Sequence, residues 1–111
     1  MASTPNINEL IENGVHSPDA LNADITISGP GWSSILCGVH SDKHLVTGND
    51  FSNNNYDDYP TFFNYLESAY SDINTVSVCH WSPINDYIVG VDADIVLNTS
   101  SDAEVKDIAV N

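Results

Sequence analysis

Sixteen carboxylates and only two basic side chains, Lys43 and Lys106, share this 111-residue chain, and it has no arginine. That imbalance constrains the fold more than any other feature. A formal net charge of −14 exceeds the magnitude of roughly 2–8 found on well-behaved small domains. Such a charge repels itself in the compact state and costs stability. An apolar fraction of 41%, with two Trp, five Tyr and three Phe, supplies one modest core. Alternating aliphatic runs exclude a disordered chain. The length fits one domain over residues 1–111, with 1–6 and 99–111 loose.

The same imbalance narrows the choice of partner. Phosphate binding needs Lys and Arg, so nucleic acid is a poor direct ligand. An anionic membrane surface is unfavourable for the same reason. Basic protein surfaces, or cations, are the natural partners. The N-terminal residues carry neither a positive n-region nor an apolar h-region, so no secretion signal or membrane span is expected. The expected setting is the cytoplasm, of a host cell if the chain is viral. There Cys37 and Cys79 stay reduced, and the sequon Asn98-Thr99-Ser100 carries little meaning.

Periodicity gives a list of elements. Residues 7–13, with Ile7, Leu10 and Ile11, read as a short helix ending at Gly14. Residues 24–28 alternate as a strand with Ile25 and Ile27 on one face. Gly29-Pro30-Gly31 signals a turn. Residues 32–40 read as a second strand and Lys43–Thr47 as a third. A polar loop follows from Gly48 to Asp58. Residues 60–73 place Phe62, Phe63, Leu66, Ala69, Tyr70 and Ile73 at helical spacing, with Pro60 suited to the first turn. Residues 75–81 read as a fourth strand, 82–86 as a turn and 87–97 as a fifth strand. The tail from Asn98 adds a short helix or frays. The expected fold is α+β, an antiparallel sheet of about five strands with the helix 60–73 on one face.

On that fold, Asp92 and Asp94 project from the fifth strand, opposite its core residues, with Cα atoms about 6.8 Å apart. Asp50, Asp57, Asp58 and Asp86 extend the acidic array from adjoining loops, and Tyr56 supplies an aromatic contact. These seven residues are the candidate partner-binding set. Cys37, His40 and His44 are zinc-ligand types, but the odd offset from Cys37 to His40 puts the two on opposite faces of a strand. Asp92 and Asp94 offer too few oxygens for Ca²⁺. No metal or other cofactor is expected. Ser, His, Asp and Cys are present, yet no nucleophile elbow, phosphate loop or HExxH helix appears, so no enzyme is expected.

The profile resembles small acidic inhibitors of phages and mobile elements, such as DNA-mimic anti-restriction and anti-CRISPR proteins, and acidic immunity proteins. The likeness covers size, charge and simplicity, and no motif carries it. The reading that follows is an inhibitor whose carboxylates replace phosphates on the basic surface of a nucleic-acid-binding protein or nuclease. The alternatives are an immunity protein for a nuclease toxin and a small metal-binding or hydrolytic protein. A halophilic domain is disfavoured by a charged content of only 16% and by 13 asparagines.

Overall fold

The computed structural model describes residues 3–22 and 25–110. Asp24, which opens the expected strand 24–28, lies outside them, as do Met1, Ala2, Ala23 and Asn111. The helices are α1 (Pro5–Asn13), α2 (Ser28–Cys37), α3 (Ser41–His44), α4 (Phe62–Ala69) and α5 (Asp102–Ala109). Two strands, β1 (Val76–Cys79) and β2 (Ile95–Asn98), are joined through a π-helical turn, Ile84–Val89.

The α+β character holds, but the expected antiparallel five-stranded sheet does not. Among the described residues there is one sheet of two parallel strands, with Val76 opposite Ile95 and Val78 opposite Leu97. Parallel strands cannot be joined by a hairpin and need a crossover of a dozen or more residues. Residues 80–94 provide it. The expected strand 87–97 therefore splits into the π-helical turn, a loop and β2. Asn85 fastens this crossover to both strands. Its Oδ1 accepts from Ser77 Oγ (2.7 Å), and its Nδ2 donates to the Leu97 carbonyl (3.0 Å) and to Asn98 Oδ1 (2.9 Å). Gly90 closes the turn at φ 53°, donating its N–H to the Asn85 carbonyl.

The second correction concerns residues 28–44. The Gly-Pro-Gly stretch does not turn the chain; it lies in the first turn of α2. Pro30 is tolerated there because the first N–H groups of a helix have no internal acceptor. Gly38, at φ 70°, ends α2 by donating to the Ser34 carbonyl, a left-handed cap that glycine adopts without a Cβ clash. The expected third strand opens instead as the single turn α3. The third correction concerns the expected helix 60–73. It shortens to α4, none of whose residues is buried. Of its side chains, Phe63 packs against the core, while Phe62 and Tyr65 stay exposed.

The core is Leu36, Val46, Phe51, Ile88, Val89 and Ala93, edged by Cys37, Tyr56, Phe63, Trp81, Ile84 and Val96. It lies between α2, the 46–56 segment and the π-helical turn rather than between a helix and a broad sheet. No helix among the described residues is long and apolar enough to cross a membrane.

Candidate functional site

Helix α2 begins without a side-chain cap. Ile27, in extended conformation, stands before it and offers no capping oxygen. Of the first-turn amides, Pro30 has no N–H and those of Gly29 and Gly31 donate to Asn49 and Ile27, so an anion at this end would meet the Ser28 N–H and the helix dipole. The turn is braced from outside. Asn49 Oδ1 accepts the Gly29 N–H at 2.8 Å. A Cβ built on Gly29 would lie 2.2 Å from the Gly48 carbonyl oxygen, so only glycine allows this loop to approach. One turn on, buried Ser33 donates to the Gly29 carbonyl (2.7 Å) and shares a hydrogen bond with Tyr56 Oη (2.7 Å). That contact is half-buried, and burial pushes the Tyr56 phenol up to about 12.

Ser28, the first residue of α2, is exposed and opens onto a cavity of about 500 Å³. This volume lies within the roughly 300–1,000 Å³ of small-molecule sites. Trp32, four residues further along α2, stands on the same helix face. The facing wall comes from the end of β1, with Cys79, His80 and Trp81, and from the start of α5, with Asp102. His80 Nδ1 lies 3.2 Å from Asp102 Oδ1. The Cys79 thiol contacts the Trp81 carbonyl (3.4 Å) and Asn98 Oδ1 (3.7 Å), and burial raises its pKa. An anionic substrate group here would meet a helix N-terminus, a serine and an imidazole, in a cavity that Trp32 and Trp81 also line.

The acidic residues singled out from the sequence lie elsewhere. Asp92 and Asp94 precede β2 and do not lie within a strand. Asp92 accepts from Thr61, and Asp94 Oδ2 accepts the Thr75 N–H at 3.1 Å. Asp86 accepts from Asn98 Nδ2 (3.0 Å). Asp50 accepts the Ser52 N–H (3.0 Å), which holds its carboxyl below the usual range. Asp57 and Asp58 are exposed. Tyr56, Asp57 and Asp92 line one shallow cavity and Asp50 another, while Asp58, Asp86 and Asp94 line neither. Among the described residues no group of three or more His, Cys, Asp or Glu side chains converges as a metal site requires.

Ser28, Trp32, His80 and Asp102 were not singled out by the sequence. The available signal was the run Ser28-Gly29-Pro30-Gly31 ahead of Trp32, Ile35 and Leu36. A serine and a glycine-rich turn before apolar residues marks a helix N-terminus able to take a phosphate.

The family model for type I phosphodiesterase / nucleotide pyrophosphatase matches residues 1–107. No curated protein and no solved structure matches the chain. The match overturns the reading as an acidic DNA-mimic inhibitor of phage type, because nothing beyond size and charge supported that reading and the matched family has another role. It also corrects the expectation that the chain has no place among enzymes. With 107 of its 111 residues matched, the chain belongs to the type I phosphodiesterase / nucleotide pyrophosphatase family.

Proposed function

We propose that this chain acts in hydrolysis of a phosphodiester or pyrophosphate bond, with Ser28 as the nucleophile. The observation that carries the reading is the position of Ser28: a hydroxyl at the start of an uncapped, externally braced helix, opening onto the cavity described above. Phosphoryl transfer needs positioning and stabilisation of developing negative charge more than it needs elaborate covalent chemistry. Ser28 Oγ would bond to phosphorus as the bond to the leaving oxygen breaks, and water would then release the phosphorylated serine. The Ser28 N–H and the α2 dipole would stabilise the charge that accumulates on phosphoryl oxygens bound at this helix start. Trp32 and Trp81 offer flat apolar surface to the organic part of the ester. A cytoplasmic setting belongs to this proposal, and the two free thiols suit a reducing compartment.

The test is release of p-nitrophenol from bis(p-nitrophenyl) phosphate by the full chain and by Ser28→Ala. A loss of roughly a hundredfold or more in the variant is expected, within the range for removing a group that acts in the transition state. Equal release by both proteins, or none by either, contradicts the reading.

A further inference from the structure

We propose that the cavity at the start of α2 selects singly charged phosphodiesters that carry a flat apolar group, and disfavours phosphomonoesters and pyrophosphates. This names a substrate class for the site described above, and it rests on the reading of that cavity as a phosphoester site. The first observation is the wall. Trp32 and Trp81 are the two tryptophans of the chain, and both line this cavity. Trp81 is held at the edge of the core. Its ring lies 6.5 Å from that of Phe51, tilted by 53°, and its carbonyl accepts the Ile84 N–H at 3.1 Å. Val78, Ile84 and Val105 make much of the remaining lining apolar. A wall of this kind favours a planar, apolar substituent over a strongly hydrated one.

The second observation is the charge. The chain has two basic side chains, and neither Lys43 nor Lys106 lines the cavity. Lys106 Nζ lies 2.5 Å from Asp107 Oδ1. A carboxylate, Asp102, does line it and lies 3.2 Å from His80 Nδ1, so any positive charge on that imidazole is shared with Asp102. What the cavity offers an anion is the Ser28 N–H and the α2 dipole, worth about half a unit of positive charge. That suits the single charge of a diester. A phosphomonoester at pH 8 carries about two charges, and a pyrophosphate diester carries about two as well. The extra charge loses hydration with no basic side chain to meet it, on a chain of net charge −14.

The two observations meet on α2. Ser28 and Trp32 are four residues apart and share a helix face, so an ester held at Ser28 has indole surface one turn away for its substituent. Trp32 is 41% exposed, and its replacement leaves the core intact.

Because both tryptophans line the cavity, indole emission reports on it directly. The full chain carrying Ser28→Ala, which keeps the backbone N–H but has no hydroxyl to react, is titrated at pH 8. Methyl phenyl phosphate offers a single charge and a ring. Phenyl phosphate adds a second charge, and dimethyl phosphate lacks the ring; both are also read by displacement of methyl phenyl phosphate. Methyl phenyl phosphate is expected to bind about tenfold or more tighter than either. Diphenyl phosphate should exceed symmetrical diphenyl pyrophosphate by a similar factor. Added salt and Asp102→Asn should each narrow the gap between methyl phenyl and phenyl phosphate, since both weaken repulsion of the second charge. Trp32→Ala should close the gap between methyl phenyl and dimethyl phosphate, with Trp81 still reporting. Phenyl phosphate or diphenyl pyrophosphate binding as tightly as its singly charged counterpart overturns the proposal. So does dimethyl phosphate binding as tightly as methyl phenyl phosphate, or an emission that no ester changes. The preference for charge and ring, found in a protein whose wild type forms no adduct on Ser28, supports the diester site and removes only the nucleophile. An adduct on Ser28 without that preference keeps the nucleophile and removes this proposal.

Discussion

Asp92 Oδ2 accepts hydrogen bonds from both the backbone N–H (2.9 Å) and the hydroxyl (2.8 Å) of Thr61. Thr61 is fully buried and holds the N-cap position of α4. Its own side chain does not cap the helix; a carboxylate thirty-one residues away satisfies it instead. Removing that carboxylate strands two buried donors. Asp92→Ala is expected to cost about 1–3 kcal/mol, and Asp92→Asn less, because its amide oxygen still accepts. Urea melts of the three proteins check the order, and an unchanged midpoint in Asp92→Ala would contradict the assigned role.

The same pair shows where the sequence was legible and where it was not. Short strands do fall within the expected 75–81 and 87–97, but the alternation that sets Asp92 and Asp94 opposite the core turns Ile95 and Leu97 inward, whereas both are exposed and Val96 packs against the core. Nor could alternation separate residues 87–93 from β2. Tyr87, Val89, Val91 and Ala93 alternate on paper, yet it is Asn85, Ile88 and Val89 that are buried by the π-helical turn. Gly29 and Pro30 carry the usual marks of a turn, and those marks also suit a helix N-terminus packed against another loop. Only the tertiary contact with Gly48 and Asn49 decides between the two. The site was missed for that reason, since a strand ending at Ser28 gives its hydroxyl no special place.

Gly29 carries the next prediction. A methyl at this position meets backbone at 2.2 Å, not the end of a flexible side chain. Gly29→Ala must therefore displace the Gly48–Asn49 loop or the start of α2. The expected loss is about 1–3 kcal/mol, as for other overpacked sites, along with slower Ser28 chemistry. Thermal melting and the rate of p-nitrophenol release from bis(p-nitrophenyl) phosphate test it, and a variant unaffected in both would show that this approach is not needed.

His44 is fully buried, and Val46 donates its backbone N–H to His44 Nδ1 at 3.1 Å. A nitrogen that accepts cannot carry the proton, so the hydrogen sits on Nε2 and donates to Ser34 Oγ at 3.0 Å. Nitrogen-15 NMR of the ring is expected to show the Nε2–H tautomer. His44→Ala leaves the Val46 N–H without its acceptor and opens a cavity, so a loss of about 2–4 kcal/mol is expected. Finding the Nδ1–H tautomer would contradict the assignment.

Burial pushes the Cys37 thiol from 9.0 up to about 11, with a smaller contribution from the Asp92 charge. The sign follows directly. Between these values the unfolded chain loses the proton while the folded chain keeps it, so stability is intact below about pH 9 and falls as pH rises toward about 11. Tyr56, raised to about 12, extends the decline. In Cys37→Ala the midpoint should depend less steeply on pH across this window, whatever its absolute value. Identical slopes for the two proteins would contradict the shift.

The central claim is that Ser28 forms a bond to phosphorus, and direct observation of that bond tests it best. The full chain is mixed with bis(p-nitrophenyl) phosphate, quenched in acid within the first turnover and weighed by intact mass spectrometry, with peptide mapping of the adduct. The account predicts one phosphoryl ester on Ser28, formed together with the first equivalent of p-nitrophenol and absent from Ser28→Ala. Turnover with no adduct on Ser28, or with the adduct on another residue, would contradict it.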